Sequence, residues 1–156
     1  MSSFGKGKIK RIGDVFLSTG GIIGGIVFII MPTTSLPTYP MFHFLSLHSF
    51  LYHGIMIYIG LLMNATHYIN LRLEDIIYFA ELVGVICAIS LVINNIFDSN
   101  LMFISKDFPG TPLTILYHLT GKLFTPIMII SQMTLPFLVV YSVEKNKSKY
   151  INEEIS

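Results

Sequence analysis

The chain predicts an all-α, polytopic membrane protein with about four transmembrane helices and a partly apolar, re-entrant or membrane-surface loop before the last of them. Three observations carry this expectation. Of the 156 residues, 53% are hydrophobic and only 12% are charged, and the mean hydropathy is +0.69, values far from those of a soluble domain. The apolar residues gather in blocks instead of alternating, which favours helices over the dyad pattern of an outer-membrane barrel. Four blocks stand out, at 15–31, 41–63, 76–97 and 123–143, each about as long as a bilayer-crossing helix needs to be.

The first block follows Lys6, Lys8, Lys10 and Arg11. A cleaved signal peptide is the competing interpretation, but the run is longer than an ordinary h-region and glycines interrupt it, so a retained first helix is expected. Gly20, Gly21, Gly24 and Gly25 form two overlapping small-xxx-small pairs, which suit helix packing better than phosphate binding.

The second block, MFHFLSLHSFLYHGIMIYIGLLM, has no Lys, Arg, Asp or Glu yet contains His43, His48 and His53. An ionisable ring inside a membrane span costs energy and points to a role. Helical spacing places Ser46, Ser49, His53, Gly60 and Asn64 on one stripe, with His43 at its border and His48 pointing away. His53 is the deepest ionisable member of that stripe. A neutral imidazole there can accept a proton or orient a hydroxyl, which suits a general base; the plainer alternative is a hydrogen bond to a neighbouring helix. His43 reads as interfacial. The three rings, five residues apart, project to different sides and do not converge as i, i+4 zinc ligands do, so neither a metal nor another cofactor is expected.

In the third block Glu81, Gly84, Ala88, Asn95 and Asp98 form a second polar stripe. Glu81 either snorkels to the interface or faces other helices and pairs with a histidine. Asn94 and Asn95 are expected to bind a headgroup, cap the helix or cross-link the bundle. Cys87, the single cysteine, excludes an internal disulfide, and among apolar neighbours it reads as inert.

The connection from Asp98 to Thr120 is too apolar for an ordinary solvated loop and is expected to lie against the membrane or dip into it, lining a cavity. Pro109 and Gly110 mark a turn, and LTILYHLTGKL restarts as a short interfacial helix carrying Tyr117 and His118 at headgroup level. In the fourth block Pro126 and Pro136 predict kinks, and Gln132 offers an internal hydrogen-bonding group.

Residues 1–143 therefore read as one helical membrane domain with a basic N-terminal head, and 144–156 as a polar cytoplasmic tail, solvated or disordered. Basic residues at both ends put both termini on the cytoplasmic side of the cell membrane, with Arg72 and the segment 64–75, while 98–118 lies outside. A formal net charge of +1 gives no reason to expect a nucleic-acid partner.

FHF at 42–44, LYHG at 51–54, the asparagines at 94, 95 and 100 leading into NLMFI, and PGTPL at 109–113 occur in an order that resembles the later part of the bacterial YwaF-like integral membrane family. The resemblance covers residues 14–143. Eukaryotic relatives of that family include a transmembrane protein assigned as a phospholipid acyltransferase. The resemblance implies that His53 corresponds to the histidine of the Tyr-His-Gly segment, and Asn100 and Gly110 to the motif of an extracellular-side loop. Full-length relatives carry further N-terminal helices, with histidine and cysteine where an acyl-transfer nucleophile is proposed. Leu36-Pro37, shortly before FHF, lacks that cysteine, so the chain resembles the C-terminal portion only.

Two function classes follow. One is a lipid-active enzyme or half-enzyme, acyl-transferring or ester-hydrolysing, with His53 as base and Ser49, Asn95 and Asn100 orienting a lipid ester; Ser46 and Glu81 are further polar-face candidates. The other is a non-enzymatic membrane module, a small-molecule carrier subunit or an assembly partner. The expected partners are membrane lipids, together with a second copy of the chain or a separate protein that supplies the N-terminal helices.

Overall fold

A continuous apolar run does not have to make a continuous helix, and the first block shows why. In the computed structural model, which describes residues 5–32 and 39–155 with side chains described as far as 147, that block is two helices, α1 (Gly7–Ser18) and α2 (Gly20–Ile30). Thr19 separates them with φ −126° and ψ −76°. The hydroxyls of Ser18 and Thr19 both donate back to the Val15 carbonyl, at 3.2 and 2.6 Å, in competition with the helical ladder. The expected single helix from residue 15 is thereby corrected: α1 begins within the basic head, and the chain breaks at Thr19. The connection expected around Leu36-Pro37 lies outside the described residues.

Helix α3 (Phe44–Ala65) starts where His43 caps it, its Nδ1 accepting the Leu45 N–H at 3.3 Å. Helix α4 (Ile76–Phe97) occupies the third block and follows a 3-10 turn at Leu73–Asp75. Helix α5 (Pro112–Thr120) is the predicted restart. Thr111 is its N-cap, and proline stands at the first helical position, where the missing N–H costs nothing. Gly121, at φ +53°, ends it. The predicted turn ahead of it also forms, with Gly110 at φ +81°.

Helix α6 (Phe124–Ile155) contains both prolines of the fourth block. Pro126 falls in its first turn, where no intrahelical bond is lost, so the kink expected there has no cause; Pro136 is inside the helix. The backbone stays helical well beyond residue 143. The segment EKNKSKYINEEI has no glycine or proline to stop it and contains good helix formers, so the tail extends the helix.

The chain divides into two compact units, residues 1–78 with 136–156, and residues 79–135. In the first, α2 and α3 approach through glycines. A Cβ on Gly25 would meet the Ile57 side chain at 2.5 Å and the His53 carbonyl at 2.9 Å; one on Gly60 would meet the Leu17 carbonyl at 2.6 Å. Only hydrogen fits at those two positions, whereas Gly24 has nothing within 4 Å. Val15, Ile22, Met63 and Ile69 are buried in this unit, and Asn64 ties α3 to the break by donating to the Ser18 carbonyl at 2.9 Å. In the second unit Phe79, Val83, Cys87, Ile104, Phe124 and Met128 are buried, and Gly84 of α4 lies against the Met133 side chain of α6.

Among the described residues there is no strand. Four segments, Gly7–Ile30, Phe44–Ala65, Leu73–Phe97 and Pro112–Lys147, are long and apolar enough to cross a membrane. Large apolar side chains such as Leu51, Ile77, Ile89 and Ile130 are exposed on them, as lipid-facing residues are. The fold is all-α and multi-pass.

Candidate functional site: the His53 ring and the polar loops

The close approach of α2 and α3 at Gly25 sets the surroundings of His53. One turn beyond Gly25, Phe28 lies flat on the imidazole, with ring centroids 3.8 Å apart and planes within 6°. Phe50 meets the edge of Phe28 at 5.4 Å, and Tyr52 stands perpendicular to His53 at 5.2 Å. His53 is half-buried. Its Nδ1 is 2.7 Å from the Ser49 backbone carbonyl, one turn back on α3. A carbonyl oxygen only accepts, so this bond requires the proton on Nδ1 and leaves the lone pair on Nε2. Among the described residues no hydrogen bond engages Nε2. The ring is therefore fixed in plane and tautomer, with its basic nitrogen open.

The other members of the α3 stripe have different tasks. Ser46 is fully buried and donates to the Tyr39 carbonyl at 3.3 Å, closing the start of the helix. Ser49 contributes its carbonyl to His53. His43 stacks on Tyr39 at 4.6 Å besides capping. His48 is exposed on the opposite side, between Phe44 and Tyr52.

In the second unit the amides of Asn94 and Asn100 close on the loop that follows α4. Asn94 is buried and uses both ends of its carboxamide: Nδ2 donates to the Leu101 carbonyl at 3.1 Å and to Ser105 Oγ at 2.7 Å. Its Oδ1 accepts from Ser99 Oγ at 2.9 Å and the Leu101 N–H at 2.7 Å. Asn100, in the loop beyond α4, does the same, donating to the Lys106 carbonyl at 3.1 Å and accepting from the N–H groups of Ser105 and Lys106. Lys106 pairs with the Asp98 carboxylate, and Gln132 donates to the Met102 carbonyl at 2.5 Å. These bonds hold Met102 and Phe103 at φ +60° and +53°, unusual for residues with side chains. Asn95 is exposed and donates to the Leu91 carbonyl of its own helix at 2.9 Å. Glu81 is exposed on α4. His53 and Ser49 thus belong to one unit, Asn95, Asn100 and Glu81 to the other.

Sequence reasoning overlooked an ion pair. Asp75 is only 2% exposed and receives Arg11 through Nε at 2.8 Å and through Nη2, as well as the Arg72 N–H at 2.7 Å. Lys10 pairs with Asp14 and donates to the Tyr68 hydroxyl at 2.8 Å. The partners are 64 residues apart in the first case, and no local spacing announces them; the signal available was an acidic pair, Glu74 and Asp75, at the mouth of a span opposite a basic head. Among the described residues no three His, Cys, Asp or Glu side chains are grouped to hold a metal ion.

With this geometry in hand, the chain can be set beside known proteins. The model of the TMEM164 family, a family of transmembrane proteins, matches residues 12–143. No curated protein matches the chain, and no solved structure does.

Proposed function

This chain belongs to the TMEM164 family, and from that premise we propose that it is a lipid-active membrane enzyme, or half of one, with His53 as its general base. The observation that carries the proposal is the fixed tautomer: Nδ1–H spent on the Ser49 carbonyl, the ring held against Phe28, Nε2 open. An acceptor hydroxyl, from water or a lysolipid, gives its proton to Nε2 as its oxygen bonds to the carbonyl carbon of a lipid ester. The tetrahedral intermediate then collapses, the bond to the glycerol oxygen breaks, and Nε2–H returns the proton to that oxygen. A positioned base contributes about 10²–10⁴-fold to such a step. The resemblance to YwaF-like relatives supports this chemistry. In this reading the protein sits in the cell membrane with both termini in the cytoplasm, as its basic ends favour.

Tyr58, exposed on the membrane-length helix α3 with a hydroxyl that a neighbouring helix could bond, favours a second reading, an assembly partner without chemistry of its own. Lipid analysis separates the two. A strain lacking the protein and one carrying His53→Ala should share the same altered acyl-chain composition; a deletion that alters the lipids while His53→Ala leaves them as in the parent would assign the effect to assembly.

A further inference from the structure

A charged cleft of about 340 Å³ opens where α1 meets the turn before α4, lined by Arg11, Asn70, Arg72, Glu74, Asp75 and Tyr78. Its floor is the Arg11–Asp75 pair. Arg11 commits Nε and Nη2 to Asp75 and to the Asn70 carbonyl, which fixes the plane of the guanidinium and leaves Nη1 without a protein acceptor among the described residues. Arg72, on the rim, has its backbone N–H on Asp75 and only a loose, exposed contact to Glu74, at 3.2 Å, through Nη1. Two guanidiniums with open N–H groups therefore share one cleft, one preorganised and one free to swing.

The charges around them complete the picture. Asp75 is saturated by three donors, and Asp14, which also lies near Arg11, is paired with Lys10, so the carboxylate left on the rim to oppose an anion is Glu74. Lys6, Lys8 and Lys10 of the same head add positive charge. Planar guanidiniums with open donors match tetrahedral oxyanions by paired, charge-assisted hydrogen bonds. Two membrane-capable segments, Gly7–Ile30 and Leu73–Phe97, begin at this cleft, which sets it at the level of lipid headgroups.

We propose that the cleft is a phosphate-binding site, in which Arg11 Nη1 and the Arg72 guanidinium grip one phosphate group while Arg72 releases Glu74 and the Tyr78 hydroxyl and Asn70 carboxamide border the remaining oxygens. A phospholipid headgroup and a free phosphate present the same chemistry. The site is separate from His53 and independent of any acyl chemistry there.

The test is equilibrium binding to the full chain in a neutral detergent at fixed salt, with dihexanoyl phosphatidic acid, inorganic phosphate and uncharged dihexanoylglycerol as probes. Saturable binding of phosphatidic acid but not dihexanoylglycerol is expected. Arg72→Gln should weaken it about tenfold, Glu74→Gln should tighten it a few-fold, and His53→Ala should leave it unchanged. Comparable binding of inorganic phosphate identifies a free phosphate as the ligand, and binding of the lipid alone a headgroup; either supports the site. Arg11→Lys retains a cation against Asp75 and removes the fork, and should also weaken binding; should it fail to fold, Arg72→Gln, at an exposed position, decides. No saturable binding of either phosphate probe, or an Arg72→Gln protein that binds like the parent, overturns the proposal.

Discussion

His53 and Asn94 are polar residues on membrane-length helices, and they deal with desolvation in opposite ways. Asn94 fills its bonding capacity: two donations and two acceptances fasten the loop that follows α4. His53 fills half of its own, on the Ser49 carbonyl, and keeps a basic nitrogen open. A saturated buried amide is a fastener, because every partner it has lies within the fold. A ring that is held but not saturated has something left to offer a ligand. The first unit keeps its helices together by glycine contacts and so can leave a histidine underused; the second ties an irregular loop by amides and cannot spare them.

That contrast breaks most visibly at Asn94. Asn94→Leu should cost about 2–3 kcal/mol, from several bonds of roughly 0.5–1.5 kcal/mol each, and should open the loop 98–106 to protease; denaturation in detergent micelles checks both. A change below about 0.5 kcal/mol, the range of ordinary surface substitutions, would mean that the amide is not the fastener. Next comes the glycine contact. Gly60→Ala puts a Cβ at 2.6 Å from the Leu17 carbonyl and should cost about 1–3 kcal/mol. Gly54→Ala, with nothing within 4 Å, should instead gain up to about 1 kcal/mol from helix propensity. His53→Ala loses the Phe28 stack and should cost about 0.5–1.5 kcal/mol by the same denaturation; a much larger loss would recast His53 as structural. Asn95→Ala comes last, within about 0.5 kcal/mol, because the side chain is exposed and bonds only to its own helix.

How much of this the sequence carries depends on how local the cause is. The span at 76–97, the turn at Pro109-Gly110 and the restart at Pro112 are legible because hydropathy, a glycine at positive φ and a Thr-Pro helix start act within a few residues. The break at Thr19 is not: the run is apolar throughout, and two hydroxyls folding back on Val15 decide it. Asn94 and Asn95 are chemically identical neighbours, and a turn of 100° about the helix axis puts the first inside and the second outside. The stripe on α3 does single out His53, but its Phe28 neighbour comes from another helix, and so does Arg11 for Asp75. Pairings across the chain leave no trace in local spacing.

The open nitrogen of His53 is the centre of the account, and one measurement addresses it directly. The full chain, reconstituted in liposomes with an isotope-labelled diacyl phospholipid and an unlabelled lysophospholipid, together with any subunit that co-purifies, is followed by mass spectrometry for label appearing in the acylated acceptor or as free fatty acid. His53→Gln keeps a hydrogen-bonding side chain at that position and removes the base. The account predicts that turnover falls by about 10²–10⁴-fold in this variant while the protein stays folded. Turnover equal to that of the parent would contradict it.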